Sequence, residues 1–347
     1  MAKTKESKFE GEAPQVEMIT QFNFPLLLGL VFFTSLTILR TQWKDVTEGK
    51  WLEYQDNVQI YTFEEFSDHH DFNTTFFIES SNAEYLDPRQ SCCVEAAVRA
   101  QHPYSVAVYM TGIKSDTIQK KNEWINEFSN LKLIHLDADK FFTNGNLERI
   151  YNEVKSKSKR KIEHEADLAR IALLKKFGGF YVDLDTVLMK PTTQLSSFLL
   201  KNFANGIMKY RKGHQIIEEI YRRLNETKSS PVTYTEIGKD LIRRVVEDIC
   251  HFKRKKNNFA EAAKICNITF LNEETFLPVF WGQWRSIFGK PIKLDSFKVA
   301  TMNAAYAIHF SSSLTSDIPI IGGKGQIFDQ IARKYCPTVH RMLPKFY

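Results

Sequence analysis

Two aspartates are the residues of this sequence most able to do chemistry. Asp183 and Asp185 follow the apolar run Phe180–Val182, which itself follows Gly178–Gly179. Two carboxylates two positions apart point the same way on an extended backbone, and without a partner they would repel each other. A divalent cation relieves that repulsion, and Mg²⁺ and Mn²⁺ prefer hard oxygen ligands while keeping open positions for phosphates. The spacing therefore predicts a metal site, against the alternative of a solvated acidic turn.

The segment before the aspartates is predicted to be a helix that carries an acid and a base. Asp167, Arg170, Ile171 and Leu174 lie at i, i+3, i+4 and i+7 and so share one face. The guanidinium fork of Arg170 suits a two-pronged contact with a carboxylate or a phosphate. An ion pair within the helix, from Arg170 to Asp167, is the simpler alternative. Gly178–Gly179 would end the helix, because glycine is favoured just past the last helical turn.

The elements that must position these residues predict an α/β body. Short apolar runs rich in strand-forming residues at Thr74–Glu79, Ser105–Met110 and Leu131–Leu136 alternate with helical patterns at Ser91–Ala100 and Asp116–Phe128. Strands that alternate with helices indicate crossover units and an open, parallel sheet. In such sheets ligands bind beyond the carboxyl ends of the strands. No internal repeat is visible.

An apolar stretch near the N-terminus predicts a membrane anchor. No charged residue occurs between Glu17 and Arg40, and a spanning helix needs ~20 mostly apolar residues. A cleaved signal peptide is the alternative, but the run ends at Arg40 and not at a small-residue cleavage site. The pair His69–His70 is interpreted as part of a solvated linker. The predicted organisation is a short cytoplasmic tail over 1–21, a transmembrane signal-anchor over 22–40, a stem over 41–72 and a lumenal body over 73–347.

Glycosylation triplets and cysteines favour a lumenal body. The triplets lie at Asn73, Asn225 and Asn267, and none precedes the predicted anchor. A lumen permits disulfides. The odd number of cysteines leaves at least one thiol unpaired, and Cys250 and Cys266, which close a short basic loop, are the favoured pair. The cysteines are Cys92, Cys93, Cys250, Cys266 and Cys336.

The composition is that of an ordinary globular protein. Hydrophobic residues make up 43% of the chain and charged residues 25%, with a net charge of +6. Basic runs at Lys155–Lys161 and Lys253–Lys256 are interpreted as solvated helix ends or loops. Neither a zinc-finger spacing nor an aromatic–basic module accompanies them, which excludes a nucleic-acid partner from the prediction.

These motifs resemble the α-1,4-glycosyltransferases that extend glycosphingolipids. That family includes globotriaosylceramide synthase, a lactosylceramide 4-alpha-galactosyltransferase, and insect α-1,4-N-acetylgalactosaminyltransferases. A wider similarity, D-x-x-R followed by Y-x-D-x-D, is met by Asp167, Arg170, Tyr181, Asp183 and Asp185. The resemblance runs from about Phe76 to the C-terminus and includes Phe77–Ser80, Cys92–Glu95 with Arg99, Asp167–Asp185, Phe276–Trp284, Ala305–His309 and Tyr335–His340.

The resemblance implies a GT-A fold in a single catalytic domain, a UDP-sugar donor, Mn²⁺ or Mg²⁺, and retention of the anomeric configuration. His309 stands where such enzymes often supply a late metal or phosphate contact, with a hydrogen-bonded strand histidine as the alternative. Where the family usually has His-x-Trp-Asn, this chain has His309–Phe–Ser–Ser312. The implied roles are catalysis for Asp183, Asp185 and Arg170, donor binding for Asp167, Arg170, Tyr181 and Asp183, and metal binding for Asp183, Asp185 and His309.

The predicted function is therefore a retaining α-1,4-glycosyltransferase of the Golgi membrane, a single-pass type II protein with its catalytic domain in the lumen. It would transfer galactose or N-acetylgalactosamine from UDP-Gal or UDP-GalNAc to a glycosphingolipid acceptor. A mannosyltransferase acting on glycoprotein glycans is the alternative enzyme. A non-catalytic, membrane-tethered glycan-binding relative is the alternative outside enzymes. Oligomeric state is not predicted.

Overall fold

The computed structural model describes residues 58–228, 235–279, 299–320 and 325–342, with short pieces at 231, 233, 283, 287–289 and 323. The predicted cytoplasmic tail, the predicted anchor over 22–40 and most of the predicted stem lie outside the described residues. Within the part of the chain that is described, no helix combines the length and the apolar character needed to cross a membrane.

The described residues form ten strands. They are β1 (Ile60–Thr62), β2 (Thr75–Glu79), β3 (Val106–Met110), β4 (Leu131–His135), β5 (Gly178–Val182), β6 (Thr186–Leu188), β7 (Phe198–Leu200), β8 (Ile207–Arg211), β9 (Thr269–Leu271) and β10 (Ala307–His309). Eight of them form a mixed sheet in the order β1-β4-β3-β2-β5-β8-β7-β9. Strands β6 and β10 form a separate antiparallel pair.

Helices connect these strands. They are α1 (Phe63–Phe66), α2 (Pro88–Gln101), α3 (Ser115–Lys121), α4 (Ala138–Asn144), α5 (Glu148–Lys157), α6 (Lys161–Phe177), α7 (Gln215–Glu226), α8 (Lys239–Ile249), α9 (Phe259–Cys266), α10 (Val299–Ala304), α11 (Ser312–Thr315), α12 (Ile327–Tyr335) and α13 (Pro337–Met342). Short 3-10 turns occur at Ser67–His69, Glu123–Glu127 and Glu273–Thr275.

The sheet is parallel over five strands, and its other three strands, β8, β7 and β9, add two antiparallel pairings and one parallel pairing. Strands β1, β4, β3, β2 and β5 pair in parallel, which confirms the predicted α/β class and its crossover units. Strand β8 then runs antiparallel to β5, and β7 antiparallel to β8. All residues of β2, β3 and β5 are buried, as expected of strands covered on both faces.

Alternate side chains of the central strands enter two separate cores. Phe77 and Phe180 belong to one core, whereas Phe76 and Tyr181 belong to the other. Helix α6 contributes Leu168 and several neighbours to the second core. The helix that carries the predicted acid and base therefore covers the face of the sheet to which Tyr181 points.

The predicted boundary at residue 73 is too late. Ile60–Thr62 form the edge strand β1, paired with β4, and Phe66 is buried in the core. His70 is also buried, with its Nδ1 3.1 Å from the hydroxyl of Tyr109, so the interpretation of His69–His70 as a solvated linker is wrong for His70. Burial lowers the pKa of His70 from its ordinary value to about 3. The boundary was predicted too late because the local sequence is polar. The partners that bury these residues, such as β4 and Tyr109, lie far away along the chain.

Two disulfides are present among the five cysteines. Cys250–Cys266 is the predicted pair and is confirmed. Cys92–Cys336 joins α2 to the C-terminal helices across a sequence separation of 244. Cys93 is the free thiol and is buried.

Candidate metal centre

The site lies where the order of the sheet reverses. From β2 the chain builds β3 and β4 to one side, and β5 then pairs with β2 on the other side. Helix α6 ends at Gly178 and Gly179, whose φ angles are +76° and +106°, as predicted for the glycine pair. A side chain at Gly179 would also come within 2.9 Å of His70 Nε2. This tight turn leads directly into β5, so that Asp183 lies at the carboxyl end of that strand. In such sheets ligands usually bind at this edge.

Asp183, Asp185 and His309 converge. One ligand atom from each residue lies within 4.8 Å of the others. His309 Nε2 is 2.8 Å from Asp185 Oδ1 and 3.8 Å from Asp183 Oδ2. The antiparallel pairing of β10 with β6 sets His309 opposite Thr186, the residue after the second aspartate.

The backbone between the two aspartates is a turn and not the extended strand that the spacing suggested. The amide of Thr186 donates to the carbonyl of Asp183 at 3.0 Å. The two carboxylates therefore converge because the chain turns between them. The prediction that they lie together is confirmed, but its physical reason was wrong.

Each carboxylate has one oxygen anchored by the protein. The Tyr181 hydroxyl donates to Asp183 Oδ1 at 2.6 Å, and the Ser312 amide donates to Asp185 Oδ2 at 2.7 Å. The second oxygen of each aspartate faces His309. Two oriented carboxylates and an imidazole are a donor set that fits Mn²⁺ or Mg²⁺. Hydrogen-bond donors such as the Tyr181 hydroxyl and the Ser312 amide commonly orient metal ligands.

Arg170 connects the helix to the metal candidates. Its guanidinium lies 3.3 Å from Asp167 Oδ1 and 3.4 Å from Asp183 Oδ1, and it stands 4.4 Å from the centre of the Tyr181 ring. The ion pair within the helix that was the alternative is thus present together with a second contact. Arg170 is almost fully buried and holds two aspartates at once.

Asn205 and Gly206 belong to the site, although no role was predicted for them. The Asn205 side chain donates to Asp167 Oδ1 at 2.7 Å. The backbone carbonyl of Asn205 accepts from the Arg170 guanidinium at 2.9 Å. The Gly206 carbonyl accepts from the amide of Asp183 at 2.7 Å. A side chain at Gly206 would overlap the carboxylate of Asp183. The only signal in the sequence was an Asn-Gly pair before an apolar strand, which by itself indicates no more than a turn.

Burial and neighbouring charges shift the pKa values of three groups in the site. Burial opposes ionisation of Asp183, but Arg170 and His309 outweigh it and hold the pKa of that carboxyl below its ordinary value. Burial likewise opposes charge on His309, but Asp185 and Asp183 outweigh it and raise its pKa to about 10. Burial raises the pKa of Asp167 to about 6, against the opposing charge of Arg170. The cluster of Asp183 and Asp185 therefore attracts positive charge.

The predicted glycosylation sites lie in different settings. Asn225 and Asn267 are exposed, whereas Asn73 is half-buried and accepts from Lys209 Nζ at 3.3 Å. Asn225 and Asn267 are therefore the more accessible sites of the three.

Comparison with known proteins agrees with this geometry. Residues 87–202, which contain both aspartates, match the family described as "Glycosyltransferase sugar-binding region containing DXD motif". This match indicates a glycosyltransferase. Residues 209–343 match the "Alpha 1,4-glycosyltransferase conserved region". Together the two matches confirm the predicted resemblance to the α-1,4-glycosyltransferases, and they support the prediction of a hexosyltransferase.

Individual relatives are distant but cover most of the chain. The human alpha-1,4-N-acetylglucosaminyltransferase is 26% identical over 284 residues, which span 78% of this chain and 80% of that protein. The lactosylceramide 4-alpha-galactosyltransferase of Mus musculus is 26% identical over 283 residues, which span 78% of this chain and 76% of that protein. Among solved structures, the PaToxG glycosyltransferase has a TM-score of 0.43 at 15% identity, with 58% of this chain and 83% of that chain covered.

Proposed function

We propose that this protein is a metal-dependent, retaining α-1,4-glycosyltransferase with a GT-A arrangement of its donor site. It transfers galactose or N-acetylgalactosamine from a UDP-sugar to a glycosphingolipid. The observation that carries the proposal is the convergence of Asp183, Asp185 and His309 at the carboxyl edge of the sheet. The mouse relative is named for transfer to lactosylceramide, which supports a glycolipid acceptor.

Asp183, Asp185 and His309 would hold the cation, and a bound Mn²⁺ or Mg²⁺ would neutralise the charge that develops on the departing diphosphate. The donors of Arg170 are directed at Asp167, Asp183 and the carbonyl of Asn205. This arrangement favours a positioning role, in which Arg170 fixes the two aspartates while substrate binds. With retention, the acceptor hydroxyl attacks on the face from which the diphosphate departs and passes its proton to a phosphate oxygen, so no protein base is assigned.

The segment after His309, which differs from the family's His-x-Trp-Asn, still supports Asp185. The contact from this segment to Asp185 is made by the backbone amide of Ser312. A backbone donor survives a change of side chain, so the loss of the family's tryptophan and asparagine leaves this support of Asp185 in place. The observation favours an active enzyme over a non-catalytic relative.

The test is transfer by the full-length protein in detergent with Mn²⁺ and lactosylceramide. The donor panel is UDP-Gal, UDP-GalNAc, UDP-GlcNAc and GDP-mannose, and UDP-GlcNAc is included because the human relative is named for N-acetylglucosamine transfer. We expect transfer from one UDP-sugar, and an α-1,4 linkage in the product. Transfer from GDP-mannose alone, or binding of UDP and Mn²⁺ without transfer to any glycolipid, would contradict the proposal.

We also propose that the protein is a single-pass type II protein of the Golgi membrane with a lumenal body. The support is the apolar stretch at 22–40 together with the exposed triplets at Asn225 and Asn267. Endoglycosidase treatment of membranes should increase the gel mobility of the protein, and carbonate washing should leave it in the membrane fraction. Unchanged mobility together with release by carbonate would refute this localisation.

A further inference from the structure

A cavity of about 670 Å³ lies apart from the three metal candidates and is lined by other residues. Its walls come from the β7–β8 connection, the first turns of α8, and the loop that Cys250–Cys266 closes. A volume of this size is in the range of small-molecule sites, roughly 300–1,000 Å³. The basic run Lys253–Lys256, to which the catalytic site gives no role, lies in that loop.

The topology brings this cavity to the catalytic edge of the sheet. Because β8 runs antiparallel to β5 and β7 antiparallel to β8, the β7–β8 connection meets the end of β5. That connection carries Lys201–Phe203 in the cavity wall and then Asn205 and Gly206 in the metal centre. Lys239 lines the cavity directly after Gly238, where a side chain would come within 2.8 Å of Asp167 Oδ2. The two sites therefore share both of these chain segments.

The cavity carries more positive than negative charge, because its lining has four basic and two acidic side chains: Lys201, Lys239, Arg243, Arg254, Asp240 and Glu273. The side chains of Lys239 and Arg254 make no hydrogen bond or ion pair to any residue that the structure describes. Arg243, in contrast, pairs with Glu247 at 2.9 Å. Helix α8 begins at Lys239 without a side-chain cap, and a lysine at the positive end of a helix dipole is unfavourable by itself. A negatively charged ligand would relieve both features.

Three aromatic rings, those of Phe203, Phe252 and Phe259, also line the cavity. The rings of Phe252 and Phe259 stack with their centroids 4.4 Å apart, and Phe203 lies 5.5 Å from Phe252. Hydrogen bonds of Asn258 hold the loop that Cys250–Cys266 closes. Its side chain accepts from the amide of Lys253 at 2.7 Å and donates to the carbonyl of His251 at 3.2 Å. A lining that combines aromatic edges with basic side chains suits a ligand that has both a sugar and an anionic group.

We propose that this cavity is an acceptor subsite for a glycan that carries a carboxylate, sulfate or phosphate group, with Lys239 and Arg254 as the residues that bind the charge. The proposal rests on the glycosyltransferase function proposed above and specifies its acceptor. Lys239 and Arg254 then select acceptors, while the aspartates of the metal centre serve the donor.

The experiment compares two oligosaccharide acceptors that are identical except that one ends in a carboxylate and the other in its methyl ester. The readout for the full-length protein is the ratio of kcat/KM for the acidic over the esterified acceptor. The variant is Lys239→Gln with Arg254→Gln. The matched control is Lys255→Gln with Lys256→Gln, which removes the same charge from exposed positions that do not line the cavity.

We expect the unaltered protein to favour the acidic acceptor by about tenfold or more, the scale of one or two hydrogen bonds to a charged group. The preference should vanish in the cavity variant and persist in the control. A preference that survives in the cavity variant, or that both variants lose equally, would overturn the proposal. So would a cavity variant that loses only its binding to vesicles containing phosphatidylserine, since the basic loop would then contact a membrane.

A binding measurement separates this inference from the function on which it rests. Calorimetry of the two acceptors with the unaltered protein needs no transfer. Tighter binding of the acidic acceptor without transfer to either compound would refute the enzymatic function and leave the subsite standing. Transfer with equal binding of both acceptors would refute the subsite alone.

Discussion

Two neighbouring clusters at the carboxyl edge differ in how far the protein satisfies them. In the first, Asp167, Arg170 and Asn205 bond to one another at 2.7–3.3 Å. In the second, Asp183 and Asp185 each turn an oxygen toward His309, and only one imidazole stands between two carboxylates. The first cluster is complete within the protein, whereas the second has ligands for a cation. The first therefore sets geometry, and the second is where a cation is needed.

The largest effect is expected from Asp185→Asn. The amide keeps the size of the side chain but loses the charge that attracts the cation. Because the residue lies in a turn at the end of β5 and is only partly buried, the fold should survive. Turnover should fall by roughly a hundredfold or more, the scale of one lost electrostatic contact at a reacting centre. The measurement is UDP release with a glycolipid acceptor, with thermal melting as the check on folding. Activity equal to that of the unaltered protein would remove Asp185 from the site.

A smaller loss is expected from Arg170→Lys, because an ammonium cannot bridge two carboxylates as the guanidinium fork does. Turnover should fall by about tenfold, close to the lower limit for the loss of one hydrogen bond to a charged group. A positioning role predicts that the apparent affinity for Mn²⁺ also weakens, which a purely structural role would not produce. The control is Arg160→Lys, which changes an exposed arginine directly before α6. Equal losses in both variants would contradict the role of Arg170.

The smallest effect concerns pH. Burial raises the pKa of Asp167 from 3.8 to about 6, so protonation below that pH weakens its hold on Arg170 and Asn205, and kcat/KM should halve near pH 6. Between pH 3.8 and about pH 6, Asp167 keeps its proton in the folded protein but has lost it in the unfolded chain. The free energy of unfolding therefore falls as the pH rises through this range. Asp167→Asn should therefore remove this acid limb while keeping or raising Tm at pH 7. An unchanged pH profile in the variant would show that another group titrates.

The predictable part of this fold is the part that local pattern encodes. Strands β2, β3 and β4 are short apolar runs between helical patterns, and their positions were predicted within one residue or so. Strands β1, β6, β9 and β10 were not predicted, because each has three residues and pairs with a strand that lies far away along the chain. The neighbouring strands β7 and β8 were not predicted either. The same contrast separates Cys250–Cys266, 16 residues apart and predicted, from Cys92–Cys336, 244 residues apart and not.

The site divides in the same way. Asp183 and Asp185 could be predicted from spacing, whereas His309 entered only through the resemblance to a family. Asn205 contacts Asp167 across 38 residues of sequence, and nothing in its local context indicates that contact. The turn between the two aspartates also depends on long-range packing, because β6 pairs with β10 and not with the main sheet.

The central claim is that Asp183, Asp185 and His309 hold the cation through which the donor binds. Its most direct test is calorimetry of UDP with the full-length protein, once with Mn²⁺ and once with a chelator. Without a cation the two carboxylates repel the diphosphate, so we expect binding only in the presence of Mn²⁺. Equal affinity for UDP under both conditions would contradict the account.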